Sequence, residues 1–277
     1  MKVSSKKRKI TRQARKRFFM RIIPIALFLA GASPAAHALD QNPWWKRVRT
    51  PEPVEVIVTT VNLGGQPLDM VFEKGPRHNH PLMAIWVEDL QGKYIQTLYV
   101  AQSIAKGVYL HGDPSTGRWL PGPVRRPATL PYWSHKRGIQ AEDGLFIPSQ
   151  AHPMADALTG PTPKGNFVLQ TQVPELSPRK FRVLMEINQP WDWNQHWYNA
   201  RFPGDREYMT SAQPALVYEA LIDLDSGTSE IEMKAIGHSH WSGRNGELFK
   251  DLSTLTTALN ISERVYIKIP EKNKNVF

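Results

Sequence analysis

Leu82-Met83-Ala84-Ile85-Trp86-Val87-Glu88 and Tyr94-Ile95-Gln96-Thr97-Leu98-Tyr99-Val100, joined by Asp89-Leu90-Gln91-Gly92-Lys93, decide the fold class. Both runs are rich in β-branched and aromatic residues, and the connection carries a glycine, so the pair reads as an antiparallel hairpin. Further runs of the same kind lie on either side. In Pro53 to Val61, Val54, Val56 and Val58 share one strand face, and Asn166 to Val173 and Phe181 to Ile187 open a second group. Leu216 to Leu224 and Glu230 to Ile236 flank Asp225-Ser226-Gly227, which reads as another hairpin turn, and Val265 to Ile269 closes the series. No long stripe of period 3.6 competes with these alternations. About eight strands separated by turn signals predict an all-β fold, an immunoglobulin-like antiparallel β-sandwich over residues 53–269.

Residues 111–163 interrupt this pattern with a long Pro- and Gly-rich stretch of weak periodicity. Trp119, Tyr132, Trp133 and Phe146 within it predict an ordered insertion packed on the sandwich, and Trp133 to Gly138 reads as the end of one helical turn. Asp251 to Leu259 reads as a short helix with Asp251 or Ser253 as its N-cap.

The charge is unevenly distributed. Ten Lys and Arg residues fall within residues 1–38, with no Asp or Glu before Asp40, so the remaining chain holds 25 basic against 25 acidic residues. A basic run, the apolar Ile22 to Ala32 and the small-x-small Ala36-His37-Ala38 form the three parts of a secretory signal peptide, residues 1–38. The apolar core is shorter than the ~20 residues of a bilayer span, so cleavage leaves no stable membrane insertion. The expected location is periplasmic or secreted, with residues 39–52 a linker and 270–277 a tail. A formally neutral body removes the electrostatic case for nucleic acid. The absence of cysteine excludes disulfides, thiolate metal sites and Cys nucleophiles.

Three segments carry candidate chemistry. His78-Asn79-His80 and His238-Ser239-His240 each place two imidazoles on one face of an extended strand, and convergence of the two pairs would suit a divalent metal such as Zn, Cu or Fe. Trp191, Asp192, Trp193, Asn194 and Trp197 mix aromatic faces with carboxylate and amide groups, a combination able to hold a sugar, a ring or a cation; packing over one end of the sandwich is the plainer reading. Carboxylates available for acid/base work are Glu186, Asp192, Asp205 and Glu219, but no spacing sets two of them across a substrate. Neither a nucleophile elbow nor a phosphate loop is present.

Four phrases, Ile85 to Asp89, Asp156 to Gly165, Glu186 to Asn194 and Asp251 to Ala258, together resemble the predicted periplasmic proteins grouped as domain of unknown function 2271. The resemblance spans roughly residues 53–269. It implies an immunoglobulin-type sandwich and a non-enzymatic accessory role beside a membrane-bound, flavin-dependent redox system. Asp156 to Thr162 is also similar to the motif on which exported redox proteins receive covalent flavin mononucleotide, which implies Thr162 as acceptor. Pro161 departs from that motif and removes a backbone N–H; a tight turn entering the next strand is the structural alternative. The expected function is therefore an exported accessory in redox or metal handling, with a carbohydrate-binding or carbohydrate-processing sandwich as the alternative.

Overall fold

Leu82–Glu88 forms strand β3, and all seven of its residues are buried. A strand covered on both faces needs apolar residues at consecutive positions, which is why this segment reads as a continuous run rather than an alternation. β3 pairs antiparallel with β4 (Tyr94–Ala101) on one side and β9 (Lys180–Asn188) on the other. The computed structural model describes residues 53–59, 64–113, 115–118, 120–155 and 158–271. The predicted leader and linker, Trp119, Asp156, Ala157 and residues 272–277 lie outside the described residues.

The remaining strands are β1 (Glu55–Val58), β2 (Gln66–Lys74), β5 (Val108–Asp113), β6 (Leu120–Pro123), β7 (Thr159–Gly160), β8 (Phe167–Val173), β10 (Leu216–Asp223), β11 (Glu230–Glu232), β12 (Lys234–His238) and β13 (Ser262–Lys268). One sheet runs β1-β8-β2-β13-β11, the other β12-β10-β9-β3-β4-β7, and β5-β6 form a separate ribbon. The fold is all-β, as the alternations predict. Phe72, Phe167, Leu169, Val265 and Ile267 of the first sheet share one core with Ile85, Leu98, Phe181, Val183 and Leu216 of the second. The strand groups read separately in sequence thus interleave.

Three sequence expectations need correction, and a fourth, the shared face of Val54, Val56 and Val58, holds. The sheets are not wholly antiparallel, because β1 joins β8, and β7 joins β4, in parallel. Val54, Val56 and Val58 do share a face, but it is the outer one, at 52%, 58% and 63% exposure, while Ile57 and Thr59 point inward. The run Glu230 to Ile236 is divided: β11 pairs with β13 in one sheet, and β12 pairs with β10 in the other. Only a 3-10 turn at Ala258–Asn260 forms where a longer helix was expected, and the Asp251 carboxylate closes a turn on the Ser253 N–H at 2.9 Å. β2 escaped the sequence reading because Pro67 interrupts its alternation; its register with β13 stops at Asp69, so the missing N–H leaves that ladder intact.

A second core covers the outer face of β3 and β9. Trp86, Leu184 and Val217 pack there against Ile104 of α1 (Gln102–Lys106) and Leu130, Trp133 and Ile147 of the insertion. Helix α2 (Pro131–Arg137) starts on a proline, where the absent N–H costs nothing, and ends at Gly138 with φ +68°. Its next two N–H groups, Tyr132 at 3.2 Å and Trp133 at 2.7 Å, donate to the fully buried Glu186 carboxyl on β9. Glu186 therefore fastens the insertion to the sheet rather than facing a substrate. Burial drives its pKa up to about 8, against the lowering effect of those two hydrogen bonds. Two of the other named carboxylates are also committed: Glu219 pairs with Arg182, and Asp205 caps α3 (Arg206–Ser211) through the Tyr208 N–H and pairs with Arg244.

Candidate functional site

One buried amide draws two distant loops together. The Gln189 side chain, just past the end of β9, accepts from the Asn79 N–H at 2.6 Å and donates to the Arg77 carbonyl at 2.9 Å. This clamps the loop carrying His80 beside the turn carrying Trp191. That turn is tied in its own right: the Trp191 N–H donates to the Ser211 carbonyl at 3.0 Å, and Gln213 donates to the Asp192 carbonyl at 2.7 Å. Within this strapping, His80 has φ +54° and Trp191 has φ +61°. Left-handed backbone is costly for a bulky side chain and persists only where surrounding contacts over-determine it.

His80 and Trp191 line the same open groove, a cavity of about 1330 Å³. Its remaining wall comes from α1, the β5-β6 ribbon and the segment after β7, and it is mostly apolar. Trp191 is 65% exposed and Leu110 77% exposed, so both present apolar surface to solvent at the groove. Lys106, His111 and Arg126 join His80 as the basic groups of the lining, and among the described residues no Asp or Glu lines it. The Arg126 guanidinium sits 4.4 Å over the Tyr109 ring. Burial pushes the Tyr109 hydroxyl well above its usual range, so it stays neutral.

Thr162 also lines this groove, half-buried, so the geometry brings together one residue from each of three separately read candidates. Gly160 has a structural explanation, since a Cβ there would meet the Tyr99 ring at 2.9 Å, and the Tyr99 hydroxyl donates to the Pro161 carbonyl at 2.8 Å. Thr159–Gly160 of this segment is thus held as the short parallel strand β7, and Thr162 follows it.

The other candidates go elsewhere. His78 packs 5.7 Å from Phe72, and the positive φ at His80 breaks the extended geometry that would have put both imidazoles on one face. His238 is buried at the end of β12, its backbone paired with Phe249 and its Nδ1 2.8 Å from the Ser239 carbonyl. His240 is stacked on Trp241 at 4.1 Å, and its Nδ1 accepts from the Ser242 N–H at 3.1 Å. Burial lowers the pKa of both. Among the described residues, no three His, Asp or Glu side chains assemble into a metal-ligand set, so the four imidazoles do not form the single centre that their spacing suggested.

Trp193, Asn194 and Trp197 are likewise not free for a ligand. Trp197 is buried against Phe202, Tyr208 and Trp241, with its Nε1 donating to Thr254 at 3.1 Å. Trp193 packs on the sandwich core beside Tyr208. The Asn194 amide donates to Gln213 and Thr254 and its Oδ1 accepts from the His196 and Trp197 N–H groups, knotting the loop. Asp192 is half-buried, and burial raises its pKa despite a hydrogen bond with Thr257. Sequence reasoning missed Lys106, Tyr109, Arg126 and Gln189. The first three sit in or beside a stretch without periodicity, and nothing in sequence links Gln189 to residues 77–79.

The chain matches no protein-family model, no curated protein and no solved structure.

Proposed function

We propose that this chain is an exported, non-enzymatic accessory protein that works by holding a ligand in the groove at His80 and Trp191. The observation that carries this reading is the placement of strain: two of the three non-glycine residues with left-handed backbone among the described residues line that groove, and Gln189 ties their loops together. Strained, over-determined residues cluster at ligand clamps. Among the described residues no Asp or Glu lines the groove, which favours binding over acid/base hydrolysis.

A basic leader, an apolar core and a cleavage site before Leu39 support export to the periplasm or beyond. The resemblance to domain of unknown function 2271 and the position of Thr162 in the groove support service to a membrane-bound redox system over metal handling. A sugar site is less well supported, because Trp191 is the one exposed indole of its segment and the surrounding wall is mostly apolar.

Native mass spectrometry of protein purified from the exported fraction tests the reading. A small molecule carried by the wild type and lost in a folded Trp191→Gly variant is the expected result. An empty protein whose Trp191-dependent fluorescence also ignores flavins and quinones removes it.

A further inference from the structure

Resting on the groove as the working site, we propose that its ligand is an extended oligopeptide that adds a strand to the edge of β5 facing the groove. Val108, Tyr109, Leu110, His111 and Gly112 all line the cavity. Successive side chains of a strand point to opposite faces, so a cavity that touches five residues in a row meets β5 along its main-chain edge rather than across one face. Gly112 makes the same point at a single position. A Cβ there would collide with the Gly122 carbonyl of β6, so what Gly112 presents to the groove is main chain alone.

Among the described residues β5 pairs with β6 alone, through Val108 with Pro123, Tyr109 with Gly122 and Asp113 with Leu120. Leu110, His111 and Gly112 fall in the irregularity between those pairs. An edge strand offers a row of N–H and C=O groups on which a further strand pairs. The other edge of the ribbon is blunted, because Pro121 and Pro123 bring no N–H to β6. Strand addition is therefore open on the side where the groove lies. The side-chain surface agrees: every second residue of an added strand turns to the same face, and the largely exposed Leu110 and Trp191 give such residues apolar surface to cover. In this mode main-chain bonds supply affinity, and contacts with alternate side chains supply selectivity. β5 is six residues long, so the matching ligand is a peptide of about six residues, ~20 Å when extended.

A pool of random-sequence hexapeptides, acetylated and amidated so that neither end is charged, tests this on the wild-type protein. Peptides retained in native mass spectrometry are identified and remade with N-methyl groups on their odd or on their even residues. A strand added to one edge bonds through every second residue only. Methylation in one phase should therefore weaken binding at least about tenfold, and in the other phase by less than about twofold. The retained peptides should carry apolar side chains at alternate positions, and Trp191→Gly, its fold confirmed by circular dichroism, should not bind them. The molecule carried by protein from the exported fraction should fragment as a peptide. Equal effects of the two methylation phases would overturn strand addition, as would peptides that Trp191→Gly still holds, since those sit elsewhere. Retention of no peptide, beside a co-purified or added flavin or quinone whose binding needs Trp191, would overturn the proposal and leave the groove as a binding site. A protein that binds neither peptides nor those molecules would remove both readings.

Discussion

The two His-x-His segments share a spacing and nothing else. His78-Asn79-His80 lies in a turn whose last residue is forced into left-handed backbone and stands exposed at the groove, whereas His238-Ser239-His240 ends a strand and is buried among Trp197, Trp241 and Phe249. The same contrast separates Trp191 from Trp197, six residues apart: one indole is 65% exposed on strained backbone, the other 5% exposed with its N–H satisfied. In one region the residues are held in costly positions without packing to justify them. In the other, packing and hydrogen bonds account for His238, His240 and Trp197, so residue type alone does not distinguish a ligand site from a core.

The contrast predicts a hierarchy of stability effects. Trp197→Ala removes a buried indole and its hydrogen bond to Thr254, and should cost about 3–5 kcal/mol by urea unfolding followed with circular dichroism. A cost below about 1 kcal/mol would mean that this end of the molecule is not the packed core described here.

Glu186 gives the next largest effect, and its sign is fixed by burial. The folded carboxyl titrates near pH 8 and the free one near 4.5, so between these values the folded state binds the extra proton. Its stabilising share is therefore complete below about pH 4.5 and is lost as pH rises toward 8, a loss on the order of a few kcal/mol. Glu186→Gln removes the titration, keeps one of the two oxygens that accept from the Tyr132 and Trp133 N–H groups, and should flatten this decline in unfolding measurements across that range. A wild-type profile that rises toward pH 8 from this residue would contradict the burial argument.

How much of this was legible in the sequence depends on how local the deciding contacts are. β3 and β4 were readable because they meet across five residues and both are apolar enough to be covered on each face. For β1 the period of two was legible but the buried face was not: alternation defines two faces, and only the pairing with β8 turns Ile57 and Thr59 inward. The groove is the extreme case. Its described wall comes from six separated segments, and the positive φ at His80 and Trp191 is imposed by Gln189, Ser211 and Gln213, none of which stands next to the residue it constrains in a way that sequence reveals.

His238 offers a smaller, opposite pH effect. Burial depresses its folded pKa below the unfolded value of about 6.5, so the unfolded chain takes up a proton that the folded protein refuses. Its contribution is present above about pH 6.5 and is lost as pH falls below that toward the folded value. His238→Phe retains a ring against Phe249 and should weaken the acid-side loss of stability between pH 7 and 5.

Trp191 should give the smallest change in stability and the clearest separation of the two regions. Glycine adopts left-handed backbone without steric cost, whereas alanine keeps the clash that strains this position. Trp191→Gly should therefore be more stable than Trp191→Ala by about 1 kcal/mol, and no less stable than the wild type to within about the same amount. Both variants lack the indole, so both should lose groove binding to the same extent. A side chain whose removal spares the fold, relieves its backbone and abolishes binding is kept for what it touches outside the chain. The opposite result, with glycine and alanine equally destabilising by several kcal/mol, would place Trp191 with Trp197 and dissolve the distinction between the two ends.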